Sequence, residues 1–199
     1  PPQCNGYSLV NRNIGASRIY GVEAEARFQL PGNFSLDTNV AYLDTKITRG
    51  SVADARGQNN ETGESPLIDL TGNRLPLASK FNVSVKLAQW FEIGRGRLDW
   101  QALLNYRSSF FLSQFNEDDI VFLDGSRQNA LQAGFPDRQQ GYTTLNLGIG
   151  YTLGNYRLEA WASNFTDQQA STKALVGSAL NIRFLNDART YGLRARVNF

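Results

Sequence analysis

Histidine and methionine are absent from this 199-residue sequence, and cysteine occurs once, as Cys4. Without histidine the chain can assemble neither a Ser-His nor a Cys-His catalytic pair, nor a histidine-based zinc site. No enzyme active site contained in these residues is expected, and no cofactor. Cys4 lies in a Pro/Asn/Gly segment with no second thiol to pair with. It is either an isolated loop cysteine or the partner of a cysteine further upstream. Charge of one sign is also lacking, because 20 basic residues are set against 18 acidic ones for a net charge of +2. That balance points to no nucleic acid. Long apolar runs are missing too: the least charged stretch, 139–156, is broken by Gln, Asn, Thr and Gly. A transmembrane helix, which needs roughly 18 or more consecutive apolar residues, is excluded. The opening Pro1-Pro2-Gln3 has none of the charged, apolar and small-residue segments of a signal peptide in order, so a processed chain or the tail of a longer one is expected.

What is present is a set of alternating segments. From Tyr20 the residues Tyr20, Val22, Ala24, Ala26, Phe28 and Leu30 share one face, and Gly21, Glu23, Glu25, Arg27 and Gln29 the other. Period two with one apolar side is the pattern of a strand. Pro31-Gly32-Asn33 supplies turn chemistry, and alternation resumes from Phe34 to Tyr42. Further hairpins are predicted from Phe81 through a turn at 92–96 to Arg107, and from Thr143 through a turn at 152–155 to Ser163. In the strand that ends at Arg107 only Leu103 breaks the pattern. A last strand runs from Tyr191 to Phe199.

These seven strands are roughly 9 to 13 residues long, whereas an ordinary globular strand has about 5 to 6 and a tilted membrane-crossing strand needs about 9 to 11. Short turns alternate with long segments at about 48–79, 108–140 and 167–189, which is the arrangement of an outer-membrane barrel. A soluble all-β sandwich is the competing fold, but it rarely carries three structureless loops of such length. An Arg or Lys facing lipid at mid-bilayer costs about 2 to 4 kcal/mol, so the charged faces are assigned to the lumen. Tyr42, Trp90, Tyr106, Tyr151, Tyr156, Tyr191 and Phe199 fall at or near strand ends, where interfacial girdles lie.

Read with this topology, several stretches resemble the last part of the barrel of TonB-dependent receptors. They are 13–25 with its Gly21-Val22-Glu23, then Gly72-Asn73-Arg74-Leu75-Pro76, then Tyr142 to Gly148 leading to Asn164-Phe165-Thr166-Asp167, and finally Arg189 to the terminal Phe199. Their order and spacing cover nearly the whole chain. The resemblance implies an all-β, antiparallel transmembrane barrel of which residues 1–199 are the C-terminal seven or so strands, the whole having about 22 strands and a plug. It further implies a bacterial outer-membrane location and import of a scarce ligand such as a siderophore, cobalamin or an oligosaccharide. The implied partners are the preceding strands and plug, TonB through an N-terminal box, outer-membrane lipid and the barrel-assembly machinery. Tyr191, Leu193, Val197 and Phe199 are similar to the assembly signal, with Arg194 where the common form often has Gly. A non-transporting porin or adhesin is the alternative that the same strands allow.

Candidate contacts lie in the loops, which stand above a rigid wall. The middle loop carries Phe110, Phe111, Phe115, Asp118, Asp119, Phe122, Arg127 and Arg138, a mix of aromatic surface and charge suited to gripping a chelate or sugar. Packing of loop on loop to close the mouth is the other reading of the same residues. Asn116-Glu117-Asp118-Asp119 suits a cation or a solvated loop tip. Glu23, Glu25 and Arg27 are read as one lumenal row engaged in cross-strand pairing.

Overall fold

The computed structural model describes residues 15–177 and 181–199. Cys4 and the first two residues of the 13–25 stretch lie outside the described residues. In chain order the strands are β1 (Gly15–Leu30), β2 (Phe34–Ala53), β3 (Leu67–Asp69), β4 (Phe81–Ile93), β5 (Gly96–Arg107), β6 (Phe110–Phe111) and β7 (Ile120–Val121). There follow β8 (Arg127–Gln128), β9 (Arg138–Gln139), β10 (Tyr142–Leu153), β11 (Tyr156–Ser163), β12 (Ser171–Val176), β13 (Asn181–Leu185) and β14 (Thr190–Val197).

The seven predicted strands form one antiparallel sheet in the order β1-β2-β4-β5-β10-β11-β14, with β3 added at the upper end of β2. Each neighbour in that path is the next long strand in sequence, the up-and-down order of a barrel wall. The sheet is open, so β1 and β14 each present an unpaired edge. The turns are short for a stated reason: Gly94 and Gly154 take φ of +62° and +55° at the first position of two-residue hairpins, a conformation that a Cβ disfavours.

Register fixes the faces. Val22 opposes Tyr42, Val40 opposes Val83, and Ile149 opposes both Trp100 and Ala160, so the apolar rows coincide from strand to strand. At the short-turn end Phe34 and Trp100 meet edge to face at 6.2 Å. At the long-loop end Tyr42 and Phe81 meet at 5.1 Å with their rings tilted by 52°. From Leu98 to Tyr106 the strand runs about 27 Å, which at a tilt of about 40° covers some 20 Å of the roughly 25 Å apolar band of an outer-membrane barrel.

Two details depart from expectation. β2 continues to Ala53, and the segments expected to be structureless contain a 3-10 turn at Ala55–Gly57 and seven short strands. The last strand ends at Val197 by its pairing, one residue past Arg196. The buried apolar side chains Ile47, Leu70, Phe110, Leu112, Phe115, Ile120, Ala130 and Ala170 all lie at the long-loop end. The wall itself has no such core, because a barrel wall is sealed by lipid on one side and by lumenal contents on the other.

Candidate functional site

Three outer segments, 54–80, 108–141 and 164–189, crown the wall. The first two are clasped together. Asp54 caps the 3-10 turn and receives Arg56 twice, Nε to Oδ1 at 2.9 Å and Nη2 to Oδ2 at 2.8 Å. Both side chains are buried, the guanidinium lies 3.9 Å over the ring of Phe115, and its Nη1 donates to the carbonyl of Asp118 at 3.2 Å. Asn73 continues the clasp by donating through Nδ2 to the Phe115 carbonyl at 3.3 Å and to Asp118 Oδ2 at 2.7 Å. Asn116 and Arg74 bond reciprocally: the Arg74 N–H donates to Asn116 Oδ1 at 2.8 Å, and Asn116 Nδ2 donates to the Arg74 carbonyl at 3.0 Å. The Gly72-Asn73-Arg74 stretch is therefore the hook by which the first loop holds the second.

Between the clasped loops opens a cleft of about 640 Å3, lined by Leu67, Ile68, Asp69, Glu117, Asp118, Asp119, Val121 and Arg127. Its walls carry four carboxylates against one guanidinium, with three aliphatic side chains. Asp69 is held below the usual carboxylate range by hydrogen bonds from the Thr71 hydroxyl and N–H. Behind the cleft Asp137 is buried and accepts from the Ser113 N–H at 2.7 Å and the Ser113 hydroxyl at 2.8 Å. Burial pushes its carboxyl above the usual range, against the pull of those two donors.

The predicted residues are brought together only in part. Asp118, Asp119 and Arg127 line the cleft. Phe110 and Phe115 are buried beneath it, Phe110 under the Arg107 guanidinium at 3.8 Å. Phe111 is half-buried below Arg74, Phe122 borders a separate hollow beside Asn59, and Arg138 turns away to donate to Ser109 Oγ at 3.1 Å. Phe110 and Phe115 thus pack within the loops, while Asp119 and Arg127 face the cleft. The Asn116 to Asp119 run spends Asn116 and Asp118 on the first loop. Among the described residues no three His, Cys, Asp or Glu side chains gather as metal ligands. Asp69 was not among the expected contacts, and Glu117 was expected only within the Asn116 to Asp119 run. Glu117 was legible as a neighbour of Asp118, whereas Asp69 comes from another loop and nothing local marks it.

Below the mouth, the lumenal face carries ion pairs as the period-two rows predict. Arg27 pairs with Asp37, and Asn39 Nδ2 donates to Glu25 Oε1 at 3.0 Å. Arg157 grips Asp99 with both terminal nitrogens, at 2.6 and 2.8 Å, and Arg194 reaches Glu159 at 3.2 Å. Arg194, the departure from the assembly-signal pattern, thus belongs to the lumenal ladder. Tyr191, Leu193 and Val197 stand together on the outward, exposed face of β14.

A family model described as TonB dependent receptor-like, beta-barrel matches residues 1–165. The chain belongs to that family. Its barrel fold resembles the ferric yersiniabactin uptake receptor FyuA of Yersinia pestis, with a TM-score of 0.70 and 19% identity over 94% of this chain and 24% of that one. The siderophore receptor PiuA of Acinetobacter baumannii is similar with a TM-score of 0.60 and 15% identity, over 90% of this chain and 21% of that one. At such identities the likeness is one of fold. The chain spans about a quarter of the length of FyuA. No match is found among curated proteins.

Proposed function

We propose that the chain is the C-terminal sector of a bacterial outer-membrane receptor that captures a scarce extracellular ligand and imports it with energy from the TonB complex. The observation that carries this reading is an ordered, cleft-bearing loop crown on a wall of this family. A passive pore has little use for a buried arginine that bridges two surface loops, whereas a receptor needs a mouth of fixed shape. A siderophore heads the ligand classes, because the two similar structures are receptors of that kind. Cobalamin and oligosaccharides share the same chemistry of size and mixed polarity.

In this reading Asp118, Asp119 and Arg127 touch the ligand, while Phe110 and Phe115 hold the cleft floor in place. Phe111, Phe122 and Arg138 lie outside the cleft, against Arg74, beside Asn59 and on Ser109. Upstream strands and a plug complete the lumen, TonB acts through that plug, and the chain itself performs no covalent chemistry. The test is uptake of radiolabelled ferric chelates by cells carrying the full receptor or its Asp118→Asn/Asp119→Asn/Arg127→Gln variant. A drop in affinity of about tenfold or more with unchanged barrel assembly is expected. Unchanged uptake in cells lacking the receptor, together with ligand-independent ion conductance in planar bilayers, would leave a passive pore in its place.

A further inference from the structure

Just beyond the upper aromatic row, on the outward face, cations outnumber the carboxylates. Tyr20, Tyr42, Phe81 and Tyr106 mark that row, all on the apolar rows of their strands. Two residues further along β1 is Arg18, about 6.6 Å up the strand. Register places it directly opposite Lys46 of β2. Lys46 is exposed between Thr45 and Ile47, which are buried under the loops, so alternation points Lys46 and Arg18 away from the lumen. The guanidinium of Arg18 lies 5.4 Å over the ring of Tyr20. Lys80 reaches the same face and pairs at 3.5 Å with Asp44, the neighbour of Lys46 along that face.

Like charges directly opposite each other in a sheet are destabilising, and among the described residues neither Arg18 nor Lys46 makes an ion pair. Three cations share one carboxylate at the level where an aromatic belt gives way to headgroups. We infer that this patch binds the phosphate of an anionic glycolipid in the outer leaflet, its acyl chains lying along Val22, Val40 and Val83 below. Phosphate oxygens accept charge-assisted hydrogen bonds from both side chains and relieve their repulsion. The proposal rests on the membrane reading above but not on any ligand or transport.

The experiment uses the full receptor in detergent micelles, titrated with diphosphoryl lipid A and followed by native mass spectrometry. Arg18→Gln/Lys46→Gln is expected to weaken retention of the lipid by about thirtyfold, from the loss of two surface cations. Lys86→Gln, which removes a cation from the lumenal face, should bind as the parent does, and fully dephosphorylated lipid A should bind as weakly to the parent as diphosphoryl lipid A does to the double variant. Equal retention by the double variant and the parent would overturn the proposal, as would displacement of the lipid by inorganic phosphate alone. Failure of the parent to insert into bilayers at all would instead overturn the membrane reading, which this comparison keeps separate.

Discussion

At Gly150 a Cβ would run into the guanidinium of Arg157, which lies flat across β10 on its way from β11 to Asp99 of β5. The missing side chain lets one arginine tie together two strands that are not neighbours. Gly150→Ala should displace the guanidinium and release Asp99, costing about 0.5 to 1 kcal/mol because the pair is partly exposed. Urea unfolding of the refolded receptor measures this, and a variant as stable as the parent would show that the pair contributes nothing. Arg56 is a different case, since it and Asp54 are buried together in the loop clasp. Arg56→Ala leaves a buried carboxylate without a partner, at a cost of about 3 to 5 kcal/mol. Replacing both, as Asp54→Leu/Arg56→Met, should cost much less. Protease digestion of the outer loops reads the difference, and equal cutting of the single and double variants would refute the charge argument.

Among the elements, the turn that leaves β11 explains why Asn164-Phe165-Thr166-Asp167 takes the form it does. Asn164 and Asp167 both have positive φ, +48° and +54°, which asparagine and aspartate tolerate better than most residues. Asn164 donates through its N–H to Asn146 of β10 at 2.9 Å and through Nδ2 to the carbonyls of Gln168 and Asp187 at 3.0 and 2.9 Å. One side chain thereby closes the base of the third loop. Asn164→Ala should free that loop at a cost of about 1 to 2 kcal/mol, since part-buried carbonyls lose their donor. Faster hydrogen exchange at 168–176 with unchanged exchange in β10 is the expected result, and exchange as slow as the parent's would count against it. The middle loop carries a pH response through Asp137. Its folded carboxyl holds its proton more tightly than the unfolded one, so protonation favours the packed loop. That contribution is fully present below the ordinary carboxylate range and is lost as pH rises through the raised folded value. Exchange protection of 110–113 should increase on acidification across that window in the parent and not in Asp137→Asn. An identical pH profile in the two would remove Asp137 as the cause.

For the molecule as a whole, the deciding feature is the pair of open edges on β1 and β14. Each unpaired backbone group costs several kcal/mol in hydrocarbon, so seven strands alone cannot rest in a bilayer as a monomer. Expressed by itself and refolded into detergent, this chain should aggregate or remain unfolded, while the same residues within the full barrel should run as a compact, heat-modifiable band on gels. A stable compact monomer from the isolated chain would contradict the open-edge argument.

Alternation by itself determined the seven strands, their order of pairing and which face carries charge, because a strand's side-chain period is locked to its backbone and needs no distant partner. Gly94 and Gly154 were equally legible as turns for the same local reason. Only the tertiary structure decided the crown. The clasp of Arg56 on Phe115, the approach of Asp69 to Asp118 across two loops, and the crossing of Arg157 over Gly150 join residues far apart in sequence. Loops follow no period, so their contacts depend on packing that no local pattern encodes.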